Sequence, residues 1–380
     1  METVLEAIQD KKIVLWAGPG GVGKTTSSAA LALALARGGK KICVLTIDPA
    51  KRLADALGTN LTNQPTKIDL QSGLGYSGEG ELWCLMLDPK ETLEDLIRSH
   101  ANDSKIVDRV LNNTVFNQLS GAMAGTLEYT AIEKLYDLTT NFSFDIIVVD
   151  TPPSKSVLDF LEAPDYVARF LEENIFRWFV LFDPKRASRS ITSSILQRTG
   201  KVIWEVLSKA LGADFVDELL EFFRVMEFLA SDFRLRAVSL GEMMRSPKTG
   251  TLVVGICDPV VLKDVGFLAE EISKRKIEFL GYVVNRTAFF PRSLFELETA
   301  RSELETVGVF KDPSAELWDR LVAVADEQRT ATETQDRVLD EFRSEYRQKA
   351  PLAMIPRMAE DIHDLSGLMR VAGHFGALPV

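Results

Sequence analysis

Nine residues, Gly18-Pro19-Gly20-Gly21-Val22-Gly23-Lys24-Thr25-Thr26, carry the densest chemical signal in the chain. They fill the pattern G-x-x-x-x-G-K-[ST], in which a glycine-rich backbone turns its amides inward around a chain of phosphates. Gly20, Gly21, Val22, Gly23 and Thr26 are the candidate backbone contacts to a nucleotide. Lys24 would reach the β- and γ-phosphates, and the Thr25 hydroxyl would ligate Mg²⁺. The motif needs a strand before it and a helix after it. Ile13-Val14-Leu15-Trp16 is an apolar run of strand length, and residues 27–36 are almost all Ala and Leu, strong helix formers. A helix that opens near Lys24 adds its positive end to the same anion. These flanks weigh against a glycine turn that merely resembles the pattern.

Two acids stand where such a site needs them. Residues 41–47 read as a second buried strand that ends on Asp48, and 144–149 as a third that ends on Asp150. In an open parallel sheet, ligands lie at the carboxyl ends of the strands, so both acids would face the crevice that Lys24 faces. Asp48 can orient a water or join the Mg²⁺ shell, although it also suits the N-cap of a helix over 53–57. Asp150 has the Walker B arrangement, four apolar residues and then Asp, and would hold a water on Mg²⁺. Thr151-Pro152-Pro153-Ser154 follows directly as a candidate γ-phosphate-sensing switch. Asn285-Arg286 closes another strand over 279–284, where an Asn either binds an adenine edge or serves as a turn residue. Cys43, Cys84 and Cys257 sit far apart in apolar runs and read as core thiols of a reducing compartment. With His100, His363 and His374 equally scattered, no metal-ligand spacing exists beyond the Mg²⁺ of a nucleotide.

The elements that must position these groups alternate between strand and helix. Further strands are expected at 82–87, 251–257 and 351–356, a helix at 260–274, a mobile loop at 72–80, where four glycines fall, and charged surface helices over 302–348. The expected fold is α/β, a phosphate-loop NTPase with a mostly parallel central sheet flanked by helices, plus an α-helical subdomain. The ATPase domain would comprise 1–155 and 249–380, and the helical subdomain 156–248. In that subdomain 170–182 contains FRWFVLF. Phe215, Leu219, Phe222, Met226, Leu229 and Phe233 form one apolar stripe, beside a second of Val216, Leu220 and Phe223. So broad a face reads either as a helical layer buried on the sheet or at a dimer interface, or as a surface for apolar clients.

At 380 residues with 46% hydrophobic content the chain has ample core material. A net charge of −11 argues against nucleic acid as a partner. The acidic start Met1-Glu2-Thr3-Val4-Leu5-Glu6 lacks a signal peptide's basic region, and the Ala/Leu run is too short for a membrane span. The expected location is the cytoplasm.

The order of the motifs resembles that of the ArsA-type ATPases, which include the arsenite-pump ATPase and the targeting ATPase of the guided-entry pathway for tail-anchored membrane proteins. The pieces that carry the resemblance are GPGGVGKTT (18–26), TIDPAKRLADALG (46–58), LWCLMLDPKETLEDL (82–96), VVDTPPSKSVLDFL (148–161), GYVVNR (281–286) and MIPRM (354–358). They span nearly the whole chain. The resemblance implies a Mg²⁺-dependent ATPase in which Lys24 and Asp48 are catalytic and Thr25, Asp48 and Asp150 serve the metal. Asn285, Arg286 and the segment around Pro356 would form the adenine pocket, and the helical block the client groove. Implied partners are a second copy or a paralogous ATPase, and a hydrophobic helical client or membrane protein.

Three departures limit the transfer. The family's signature lysine after the first loop glycine is replaced by Pro19, which supplies no charge. The zinc-binding C-x-x-C pair is missing, and so is a cysteine trio for arsenite. Lys51, Arg52 and Lys155, or a partner subunit, are the candidates for neutralising the γ-phosphate instead. The loop variants look most like a bacterial subgroup able to pair with a paralogue. Competing functions on the same fold are a MinD- or ParA-like positioning ATPase, for which residues 367–380 are poorly basic, and an amidoligase-like enzyme, which has no need of the apolar helices.

Overall fold

The computed structural model describes residues 3–48, 52–76, 78–100, 104–114, 116, 126–152, 154–172, 194–288, 315–346 and 350–375. The apolar runs form the strands β1 (Ile13–Ala17), β2 (Lys41–Thr46), β3 (Thr66–Lys67), β4 (Glu81–Met86), β5 (Ile146–Asp150), β6 (Thr249–Ile256), β7 (Glu278–Thr287) and β8 (Leu352–Pro356). They make one sheet in the order β3-β4-β2-β5-β1-β6-β7-β8. Every neighbouring pair is parallel except β3 with β4. All residues of β1 and β5 are buried, which is why they read as continuous rather than alternating apolar runs.

The helices are α1 (Val4–Ile8), α2 (Lys24–Arg37), α3 (Arg52–Leu57), α4 (Leu70–Leu74), α5 (Pro89–His100), α6 (Ser104–Leu111), α7 (Thr126–Asn141), α8 (Ser154–Glu172), α9 (Ser194–Leu211), α10 (Ala213–Met244), α11 (Pro259–Lys274), α12 (Ala315–Tyr346) and α13 (Leu365–Ala372). They divide between the two faces of the sheet, because successive strand residues point to opposite sides. On one face Val14, Trp16, Val44 and Val148 pack with α2, which α13 covers from outside. An Ala-rich helix suits that slot, since small side chains let it be buried all round, and Ala29 to Ala36 are at most 7% exposed. On the other face Leu15, Leu45 and Val149 join residues of α7, α8, α10 and α11. Each fully buried Leu or Ile there contributes roughly 1.5–3 kcal/mol.

The long α10 lies along α8, and α9 lies against α10. Three polar contacts set its register. Arg236 donates to the buried Glu133 of α7 and lies 4.5 Å from the Tyr136 ring centroid, while Tyr129 donates to Glu133 at 2.6 Å. Asn113 Nδ2 donates to the Glu218 carbonyl at 2.9 Å, and Arg245 pairs with Asp165 of α8 at 2.9 Å. Pro164 lies inside the continuous α8, one residue before Asp165.

Several expectations need correction. The glycine-rich stretch 72–80 is not all loop: α4 reaches Leu74, with Asp69 as N-cap and Gly75 in the left-handed region at its C-cap. Of the two stripes, Val216, Leu220 and Phe233 are buried and Phe215, Leu219, Phe222 and Phe223 half-buried. The side chains of Met226 and Leu229 lie outside the described residues, as do residues 173–182 and 302–314. Among the described residues of these helices, exposed apolar groups include Tyr166 on α8, Val202, Val206 and Leu211 on α9, and Leu235 and Val238 on α10. Cys43 and Cys84 are buried, and Cys257 is half-buried at the end of β6. Among the described residues no helix is long and apolar enough to cross a membrane.

Candidate functional site

The chain turns sharply after β1. A Cβ on Gly18 would lie 2.3 Å from the Val254 carbonyl oxygen of β6, so only glycine fits where the loop begins. Gly20 and Gly21 are exposed, Val22 is buried, and Gly23, at φ 88, caps the N-terminus of α2. A Cβ there would meet Asn285 Nδ2 at 2.3 Å. Lys24 is buried, and its Nζ donates to the carbonyls of Gly18 (3.0 Å) and Pro19 (2.9 Å), which holds the ammonium within the loop. Thr25 and Thr26 occupy the first turn of α2, half-buried. The helix is fixed from behind: Trp16 Nε1 donates to Ser27 Oγ at 2.9 Å, and Ser27 Oγ donates to the Gly23 carbonyl at 2.8 Å.

Asp150 ends β5 beside this loop at 1% exposure. Its Oδ2 accepts from Thr25 Oγ1 at 2.7 Å and from Thr46 Oγ1 at 3.1 Å, whereas its Oδ1 is buried with no hydrogen-bond partner. Burial pushes the carboxyl up from 3.8 to about 6, against the two hydroxyl bonds and the Lys24 charge, with the nearby Asp48 charge adding to the rise. An orphaned carboxylate oxygen next to a threonine hydroxyl is a hard-oxygen donor set of the kind Mg²⁺ takes. A bound divalent cation would satisfy Oδ1 and remove the cost of the buried charge. The residues therefore fit the ion. Among the described residues no cluster of three or more His, Cys, Asp or Glu could hold a metal.

Asp48 follows β2 and lies beside Asp150, since Thr46 and Asp150 are register partners and the Ile47 N–H donates to the Asp150 carbonyl at 3.1 Å. Thr151 is tied back to β1, its hydroxyl donating to the Trp16 carbonyl at 2.8 Å. Pro49, Ala50, Lys51 and Pro153 lie outside the described residues, and so do the side chains of Arg52, Ser154 and Lys155. Asn285 and Arg286 end β7, and Pro356 ends the adjacent β8, with Thr287 and Pro356 in register. Asn285 Nδ2 donates to the Val22 carbonyl at 2.8 Å. Arg286 also borders a cleft of about 790 Å³ between the ends of β6 and β7 and helix α12, lined by Cys257, Ala288, Thr330 and Gln335 among others.

The structure thus gathers Lys24, Thr25, Asp48, Asp150, Asn285 and Pro356 along one edge of the sheet. Thr46 belongs with them and carries no motif. Its signal was positional: a hydroxyl at the last residue of a buried strand that pairs with the strand ending in Asp150. Trp16 and Ser27 were equally silent, reading as plain core and helix.

The profile of the anion-transporting ATPases, the ArsA ATPase family, matches residues 11–306. The chain is 23% identical over 328 residues to the ATPase get3 of Aspergillus terreus, covering 84% of this chain and 86% of that protein. It is 24% identical over 326 residues to the ATPase get3 of Aspergillus niger, covering 84% and 86%. Against the ATPase get3 of Pyrenophora tritici-repentis it is 24% identical over 333 residues, covering 85% and 88%. The matched span holds the phosphate loop, both strand-end acids and Asn285, and on that ground the chain belongs to the ArsA family of ATPases and is an ATP-hydrolysing enzyme.

Proposed function

We propose that this ATPase is Mg²⁺-dependent and uses its nucleotide state to rearrange an apolar helical unit that handles hydrophobic helical clients or a membrane-protein partner. The observation that carries the first half is the Thr25–Asp150–Thr46 cluster beside Lys24. In this reading the loop amides from Gly20 to Thr26 and the Lys24 ammonium bind the phosphates, and Thr25 and Asp150 hold the ion and its water. Mg²⁺, when bound, neutralises phosphate charge as it builds up on the oxygens. Asp48 accepts a hydrogen bond from the attacking water and orients it for in-line attack. Asn285, Arg286 and the Pro356 segment border the base. Pro19 leaves one charge of the family's usual set to be supplied elsewhere, by Lys51, Arg52 or Lys155 or by a second subunit, either another copy or a paralogue.

The second half rests on the helices between β5 and β6. Residues 156–248 form the responsive unit, and 1–155 with 249–380 the ATPase domain. Val202 and Val206 share one face of α9, Leu235 and Val238 one face of α10, and all four are exposed by about half. Exposed apolar residues one turn apart on a helix suit an amphipathic helix as ligand. Coupling requires that the client bind the ATP-bound form more tightly than the ADP-bound form. The test is the affinity of a fluorescent apolar helix peptide for the protein with a non-hydrolysable ATP analogue, with ADP and without nucleotide. Tighter binding in the first supports the reading, and equal affinity in all three removes the client function.

A further inference from the structure

We propose that Asn285 is a positioning residue for the phosphate loop, whose side-chain amide sets the Val22–Gly23 peptide for phosphate capture whether or not a base is present. The proposal rests on the loop being the phosphate site, and it assigns Asn285 a task separate from bordering adenine.

The amide is oriented at both ends. Nδ2 donates to the Val22 carbonyl at 2.8 Å, and Oδ1 accepts from the Arg286 N–H at 2.9 Å. Turned over, it would set NH₂ against an N–H and carbonyl against carbonyl, two repulsions in place of two bonds. The strand end that presents it is a fixed corner, for Arg286 has a φ of 56, uncommon for a residue with a side chain. Contact with the loop is also close, as Gly23 has no room for a Cβ against Asn285 Nδ2. A trans peptide is planar, with its C=O and N–H pointing opposite ways. By holding the Val22 carbonyl towards β7, Asn285 therefore turns the Gly23 N–H away from β7. That donor opens α2 and is one of those the loop offers an anion. Without the bond the peptide is free to flip, and each flipped molecule presents a carbonyl in place of an N–H.

The contact ties two strands that the sheet does not make neighbours. β1, which launches the loop, is separated from β7 by β6. Backbone pairing alone therefore leaves the position of the loop relative to β7 to a side chain, and Asn285 supplies it.

The experiment compares full-length wild type, Asn285→Ala and Asn285→Asp by calorimetry with Mg²⁺ and three probes: ATP, GTP and tripolyphosphate, which has phosphates and no base. Asn285→Asp keeps the size and the acceptor for the Arg286 N–H but loses the donor and adds a negative charge. Asn285→Ala adds none and so carries the hydrogen-bond comparison, and thermal unfolding of each variant checks that it folds. The expected result is a loss for tripolyphosphate as well as for ATP in both variants, roughly tenfold for tripolyphosphate in Asn285→Ala, the scale of one hydrogen bond. The Gly23 amide exchanges hydrogen faster in the nucleotide-free variants. A loss confined to the nucleotides with an altered ATP-to-GTP ratio, or no loss at all, overturns the proposal. Lys24→Ala reports on the underlying reading separately: if it binds tripolyphosphate as wild type does, the loop is not the phosphate site.

Discussion

The two sides of the sheet solve the problem of position differently. On the phosphate-loop side, α2 is held between the sheet and α13 by alanines at 0–1% exposure, and the side chain that ties it to β1 makes a short neutral bond, Trp16 to Ser27. Small side chains in a dry slot allow only one depth of packing. On the other side, α10 meets the core through larger residues, Phe233, Leu240 and Met244, and through a buried charge, Glu133, shared by Arg236 and Tyr129. Large apolar surfaces can slide by a turn at little cost, whereas a buried charge has one partner position. The difference teaches that the loop is fixed by shape, and the helical layer by a single electrostatic register.

The largest effects should appear where shape and charge serve phosphate directly. Lys24→Ala is expected to abolish nucleotide binding, whereas Asp48→Asn keeps ATP·Mg²⁺ binding and lowers hydrolysis by about 10²–10⁴, the usual range for a group that manages the attacking water. Calorimetry and a phosphate-release assay check the pair, and failure of Asp48→Asn to bind would contradict its assignment. Next comes the register of α10. Arg236→Ala leaves Glu133 buried with the Tyr129 hydroxyl but without its countercharge and should cost about 3–5 kcal/mol, read by urea unfolding, with faster hydrogen exchange along α10 than along α2. A cost no greater than that of a surface substitution would erase the contrast between the two sides.

Smaller and opposite in sign is Asp150→Asn. It removes a buried charge that the nucleotide-free fold does not satisfy, so the variant should gain on the order of 1–3 kcal/mol near neutral pH while losing hydrolysis. The native carboxyl titrates near 6, above its ordinary 3.8, so between those values the folded chain binds more protons than the unfolded one. Stability from this group is therefore present below about 4 and lost as pH rises through about 6. The advantage of the variant should grow over that window and stay level above it, as thermal melts in chelator will show. Smallest in stability are Leu235→Ser and Val238→Ser, within about 0.5 kcal/mol because both residues are exposed. Their expected effect is on the apolar peptide, and unchanged peptide binding would move the client surface elsewhere.

How much of this was readable beforehand follows from what each signal depends on. β1, the loop and α2 were legible because the glycine spacing and the flanking runs are local. The strand ends at Asp48 and Asp150 were legible for the same reason. Thr46 was not, because its role comes from lying beside Asp150 across two parallel strands. The α10 stripes showed which positions are apolar but not which neighbour covers them, so Val216 and Leu220 were grouped with residues that remain half-exposed. Helix α4 had its capping signals, Asp69 and Gly75, but four glycines in a short stretch outweighed them.

The order of strands in the sheet also sets a clock. Ile13 pairs with Ile147 on one side and Thr249 on the other, so the strand that launches the phosphate loop is made almost first, yet gains its second neighbour only after more than half of the chain has been made. At ordinary rates of translation the ribosome needs on the order of ten seconds or more to supply both neighbours. Through that interval the Val254 backbone against which Gly18 closes does not exist, and neither does Asn285. Nucleotide cannot guide the early stages of folding, because its seat is assembled from both ends of the chain. A nascent chain released before residue 249 should therefore show no retention on immobilised ATP, and the β1 edge that later receives β6 is the surface a chaperone would have to shield.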